Sequence, residues 1–109
     1  MAQTYKILAQ TNPSAATLTD SYTVPGSTSA VLSTITVCNR SATATSFRIS
    51  VAVAGAANDN KQYIYYDVSI AGNDTFAATL GISLATTDVV RVYATLATLS
   101  FNITGVENT

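Results

Sequence analysis

Val31-Leu32-Ser33-Thr34-Ile35-Thr36-Val37-Cys38 is the stretch that decides the fold class. Val31, Ser33, Ile35 and Val37 share one parity, and Leu32, Thr34, Thr36 and Cys38 share the other. Successive side chains of a β-strand point to opposite faces, so the first set is expected on a core and the second outward. Thr, Val and Ile also suit a pleated backbone, because their branched Cβ restricts χ1 and packs well on a sheet. The same period recurs along the chain. Phe47, Ile49, Val51 and Val53 alternate with Arg48, Ser50, Ala52 and Ala54, and Ile64, Tyr66, Val68 and Ile70 with Tyr63, Tyr65, Asp67 and Ser69. Val90, Val92 and Ala94 alternate with Val89, Arg91 and Tyr93, and Leu99, Phe101 and Ile103 with Ser100, Asn102 and Thr104. Helical spacing is nowhere sustained.

Turn chemistry separates these runs: Asn12-Pro13-Ser14, Pro25-Gly26-Ser27, Asn39-Arg40-Ser41, the loop-like and flexible Gly55 to Asn60, Gly72-Asn73-Asp74 and Thr86-Thr87-Asp88. Strands are predicted at 4–9, 17–24, 29–38, 43–54, 61–70, 74–80, 88–95 and 98–105. Tyr5 to Leu8 reads as an edge strand, and Gly105 to Thr109 as a frayed end. Breakers at this spacing predict an all-β chain: one antiparallel β-sandwich over residues 1–109, jelly-roll or immunoglobulin-like, with about eight strands.

Charge is scarce. Only 10% of the 109 residues are Asp, Glu, Lys or Arg, against about 25% in an average soluble domain. Five basic and six acidic residues cannot cover the surface of so small a domain, so much of that surface is hydroxyl, alanine and aromatic. Such an exterior suits packing against neighbouring protein. With net charge −1 and hydrophobic residues at 48%, bulk electrostatics point to no nucleic-acid or anionic-membrane partner, and the composition argues against disorder. The first ten residues lack an apolar signal core, so the protein is expected to be made in a cytoplasm and to be soluble or assembled there, with export by a signal-independent route left open.

Catalytic chemistry finds little to work with. Histidine is absent, which removes the commonest general base and metal ligand and any Ser-His-Asp triad. Cys38 is alone and has no neighbouring His or Lys to activate it, so it reads as a small semi-buried residue. Asn58-Asp59-Asn60 and Asn73-Asp74 supply too few converging oxygens for calcium and read as turns. No enzyme, metal site or cofactor is expected. Asp88 is expected to cap a tight turn, with Tyr93 near a corner in the manner of a tyrosine corner.

The candidate contact residues are Tyr5, Arg48, Tyr63, Tyr65 and Arg91. If Ile64 faces the core, Tyr63 and Tyr65 stand outward together, placed for a subunit contact, for ordinary cross-strand packing or for stacking on a sugar. Arg48 and Arg91 sit mid-strand, where isolated charges keep strands from unwanted pairing or meet Asp67 and Asp20 across a subunit boundary.

Tyr5-Lys6-Ile7-Leu8-Ala9-Gln10, then Leu18, Tyr22-Thr23-Val24-Pro25 and Ser33 to Arg40 stand in sequence before Phe47-Arg48-Ile49. Lys61 to Asp67, Asn73-Asp74-Thr75, Leu80-Gly81-Ile82 and Asp88 to Ala94 follow. Over nearly its full length this order resembles small structural proteins of tailed-bacteriophage virions, β-sandwich subunits of tails, necks, baseplates or capsid decoration. The resemblance implies a non-enzymatic subunit, assembled in the host bacterial cytoplasm into the virion, with copies of itself and other virion proteins as partners. It carries over no site residue. The alternative is a carbohydrate-binding or host-attachment module that takes a surface glycan.

Overall fold

Eight strands form along the alternating runs: β1 (Gln3–Thr11), β2 (Thr19–Thr23), β3 (Ser29–Asn39), β4 (Thr45–Ala52), β5 (Tyr63–Ile70), β6 (Thr75–Leu84), β7 (Val89–Ala94) and β8 (Leu99–Asn108). The computed structural model describes residues 2–109. Two four-stranded antiparallel sheets, ordered β1-β8-β3-β6 and β2-β7-β4-β5, pack face to face as a β-sandwich. The pairs nest: β4 with β5, β3 with β6, β2 with β7 and β1 with β8, alternating between the sheets. That order is a jelly roll and differs from the ABED and CFG sheets of an immunoglobulin domain.

The space between the sheets is filled by the inward rows. Phe47, Ile49, Val90 and Val92 come from one sheet and Leu32, Ile35, Phe101 and Ile103 from the other, all fully buried. Phe47 lies at the centre of an aromatic cluster. Its ring is 5.1 Å from Phe76 and 6.1 Å from Phe101 in the opposite sheet, and Tyr65 stands 5.3 Å from Phe76. Tilted and edge-to-face pairs at such separations contribute beyond the area they bury. At one end Asn39 is buried and fully partnered. Its Nδ2 donates to the carbonyls of Thr43 and Ala71, and its Oδ1 accepts from Ser41 N and Thr98 Oγ1, so one side chain ties three loops together. Gly105 sits where β8 meets β3 so closely that a Cβ would collide with the Val31 backbone.

Inserted residues change several expected facings. Ser33 is an extra residue of β3 against β8, with Leu32 opposite Gly105 and Thr34 opposite Thr104. Parity flips there: Leu32 is buried, while Val31, expected inward, is exposed. In β5, Tyr66 and Asp67 together oppose Arg48, and Ile64 is a second extra residue. Tyr63, Tyr65, Val68 and Ile70 then follow a broken alternation, and Ile64 is 39% exposed rather than facing the core. β4 ends at Ala52, and Val53, placed inward by alternation, is 71% exposed in a short 3-10 turn. The chain's last residues are not frayed: β8 runs to Asn108, and Ala2 and Thr109 exchange backbone hydrogen bonds.

Candidate functional site

The outward row of the β2-β7-β4-β5 sheet carries both mid-strand arginines, Arg48 and Arg91. Arg48 donates through Nε to Asp67 Oδ1 at 2.6 Å, and its guanidinium carbon lies 4.3 Å from the Tyr66 ring and 4.4 Å from the Tyr93 ring. A cation between two aromatic rings is held by their quadrupoles as well as by the carboxylate. The Asp67 carboxylate raises Arg48 still further above its high ordinary range. Asp67 reaches this position because the bulge gives it φ 50°, a left-handed conformation that Asp tolerates better than most residues. Arg91 bonds Asp20 at 2.9 Å and the carbonyls of Ala56 and Gly55. Both ion pairs therefore close within one chain.

Those carbonyls belong to the segment that follows β4, which is laid over this face. Asp88 Oδ1 accepts from Ala54 N at 2.8 Å and Oδ2 from Ala85 N at 2.9 Å. The expected turn cap is present, and the same carboxylate also pins the neighbouring turn. Asp59 and Gln62 form a reciprocal capping box, and Gln62 donates to Ala57 O. The Gly55–Asn60 stretch, expected to be flexible from its composition, is thus anchored by Asp88, Arg91 and Gln62. Ser50, Ala52 and Val89 have outward parity yet are buried. Beside them the Tyr63 and Tyr66 rings meet edge to face at 4.9 Å. With Asn60 they line an open recess of about 480 Å³.

The outer face of β1-β8-β3-β6 is different in kind. Among the described residues, the four strands contain two charged residues, Lys6 and Glu107, and both are turned to the inner side. Glu107 Oε1 is 2.8 Å from Lys6 Nζ, and its Oε2 accepts from Tyr22 Oη of the opposite sheet at 2.6 Å. The Lys6 and Tyr22 hydrogen bonds hold the Glu107 carboxyl below its usual range, and burial followed by the Glu107 contact pushes the Tyr22 hydroxyl well up. What remains outward is uncharged. Ile7, Thr104, Thr34 and Thr79 form one row across the four strands, and Tyr5, Val106, Val31 and Ser83 another. Tyr5 is 77% exposed.

The five expected contact residues thus divide. Arg48, Arg91 and Tyr63 share one outer face, Tyr5 lies on the other, and Tyr65 packs inward against Phe47 and Phe76. Tyr66, 55% exposed, takes the outward place beside Tyr63. Tyr93 makes no tyrosine corner and lies instead beneath Arg48. Tyr66 was hidden by strict alternation, whereas Tyr93 keeps the parity of Arg91 that the sequence shows. The signal for the bulge was Asp67 itself, an acidic residue that strands disfavour, in the middle of an aromatic run. No known protein family matches the sequence, and no curated protein matches it either.

Proposed function

We propose that this chain is a non-enzymatic structural subunit of a tailed-bacteriophage virion, assembled in the bacterial host and acting through contacts with copies of itself and with other virion proteins. The observation that carries this reading is the uncharged outer face of the β1-β8-β3-β6 sheet. Covering hydroxyl and methyl groups costs far less than covering unpaired charge. The buried centres of protein interfaces are likewise depleted of charge. The strand order adds a fold-level analogy, since jelly rolls build viral capsid and lectin domains.

Two measurements test it. The chain is expected in purified phage particles at a fixed copy number by quantitative mass spectrometry, and sedimentation is expected to show self-association. Thr36→Lys places a charge at the centre of the uncharged face and is expected to break the larger assembly without unfolding the subunit. A native chain that stays monomeric at about 100 μM and is missing from particles overturns the proposal; that concentration probes pairs of only about −5 kcal/mol.

The recess formed by Asn60, Tyr63 and Tyr66 supports a second reading, attachment to a surface glycan. Aromatic rings beside an amide suit the apolar face and the hydroxyls of a sugar. A glycan array is expected to give hits that Tyr66→Ala abolishes; an array without hits removes this reading.

A further inference from the structure

The sandwich has four edge strands, and they are not alike. β2 is short and carries Asp20; β5 is broken by two bulges and carries Asp67; β1 holds Lys6 and an extra residue at Leu8. Short length, charge and bulges are the devices by which proteins keep an edge from pairing with another chain. β6 has none of the charges and no proline over its ten residues, Thr75-Phe76-Ala77-Ala78-Thr79-Leu80-Gly81-Ile82-Ser83-Leu84. Its one irregularity, at Leu80 and Gly81 opposite Ser33, leaves the alternation of exposed and half-buried side chains unbroken. An edge of this kind presents unpaired N–H and C=O groups along its whole length.

Resting on the assembly reading above, we propose that β6 pairs antiparallel with β6 of a second copy about a two-fold axis at Thr79. The sequence is self-complementary in that register. Thr79 meets Thr79, Ala78 meets Leu80, Ala77 meets Gly81, Phe76 meets Ile82 and Thr75 meets Ser83. Inner residues meet inner residues: Leu80 faces the small Ala78, and the one pair of two bulky side chains sets Phe76 against β-branched Ile82. Cross-strand aromatic and β-branched pairs of this type stabilise sheets. No charge faces another anywhere along the edge, so self-pairing meets no like-charge repulsion. Phe76, Leu80 and Ile82 already pack against the core on one side and stand half-buried at the rim, so a partner strand completes their cover. The rim is about 33 Å long, and the sandwich is 19 Å across its thinnest extent. The product is a continuous eight-stranded sheet whose uncharged outer faces lie side by side.

The test separates this pair from assembly in general. Thr36→Lys removes face-to-face assembly and is expected to leave dimers in sedimentation. In that background Thr79→Lys sets two ammonium groups opposite each other at the axis and is expected to weaken the dimer by about tenfold or more; Thr79→Glu does the same. An equal mixture of the Lys and Glu variants restores it, because opposite charges then meet. With Cys38 replaced by Ser, Thr79→Cys is expected to cross-link into dimers on mild oxidation, since directly opposed residues lie within disulfide reach. Circular dichroism checks that each variant is folded. A monomeric Thr36→Lys chain beside an assembling native chain overturns the β6 pair and leaves the assembly reading standing. So does a dimer indifferent to both charges at position 79. A native chain that never self-associates overturns the pair as well.

Discussion

On the outer face of β2-β7-β4-β5 every charged side chain already has its partner: Arg48 lies between Tyr66 and Tyr93 and bonds Asp67, and Arg91 holds Asp20 and two loop carbonyls. On the outer face of β1-β8-β3-β6 the rows are threonine, valine, isoleucine and tyrosine with nothing laid over them. One chain has used its few charges to finish one side of itself and has left the other unfinished. The difference shows that the scarcity of charge is not spread evenly over the two outer faces.

The contrast can be broken most severely through Asp88. Asp88→Ala strips the acceptor from Ala54 N and Ala85 N and releases the segment that covers Ser50, Ala52 and Val89. Hydrogen bonds to a charged group typically contribute about 1.5–3 kcal/mol each, so a loss of about 3 kcal/mol is expected in chemical denaturation. Proteolysis is expected to cut first within residues 53–62; an unchanged melting curve refutes the anchoring role.

The next effect is sharper in pH than in size. Folding lowers the pKa of Glu107 from its ordinary 4.5, so its contribution is present above that value and is lost as pH falls through the folded-state value. Folding raises Tyr22 above 10, so its contribution is fully present below 10 and is lost as pH rises toward the folded-state value. The Lys6–Glu107–Tyr22 bridge between the sheets is therefore expected to give a plateau of stability between these limits. Denaturation at about pH 3 and about pH 6 is expected to show a larger acid loss in the native protein than in Glu107→Gln. Equal losses in the two remove Glu107 as the titrating group.

The smallest effect belongs to Arg48. Arg48→Met keeps the aliphatic stem and deletes an exposed ion pair together with both cation–π contacts, so about 1–2 kcal/mol is expected. Added salt is expected to narrow the gap between native and variant melting points, because it screens the exposed Arg48–Asp67 pair.

Much of this architecture was legible in the chain because period-two runs such as Phe47-Arg48-Ile49 carry their facing with them, and Asp88 announced its cap by standing before a strand. The misread facings share one physical cause. A single inserted residue reverses every facing beyond it, and the insertions at Ser33 and within Tyr66-Asp67 leave no mark in composition apart from an acid in mid-strand. Long-range partners are equally silent: Tyr22 and Glu107 bond across 85 positions of sequence. Strand order depends on such distant meetings, which is why the jelly roll could not be told from an immunoglobulin-like sandwich until the sheets were seen.

The nesting of the strand pairs has a consequence in time. β4 and β5 close the shortest stretch of chain, and each further pair encloses the one before it, so the entropy of closure grows step by step toward β1 and β8. Zippering is therefore expected to begin at the innermost hairpin and to end when β1 docks, and thermal opening to run in reverse. Amide exchange fastest along β1 and slowest along β4 is the kinetic signature of that order; protection that is uniform across the eight strands contradicts it.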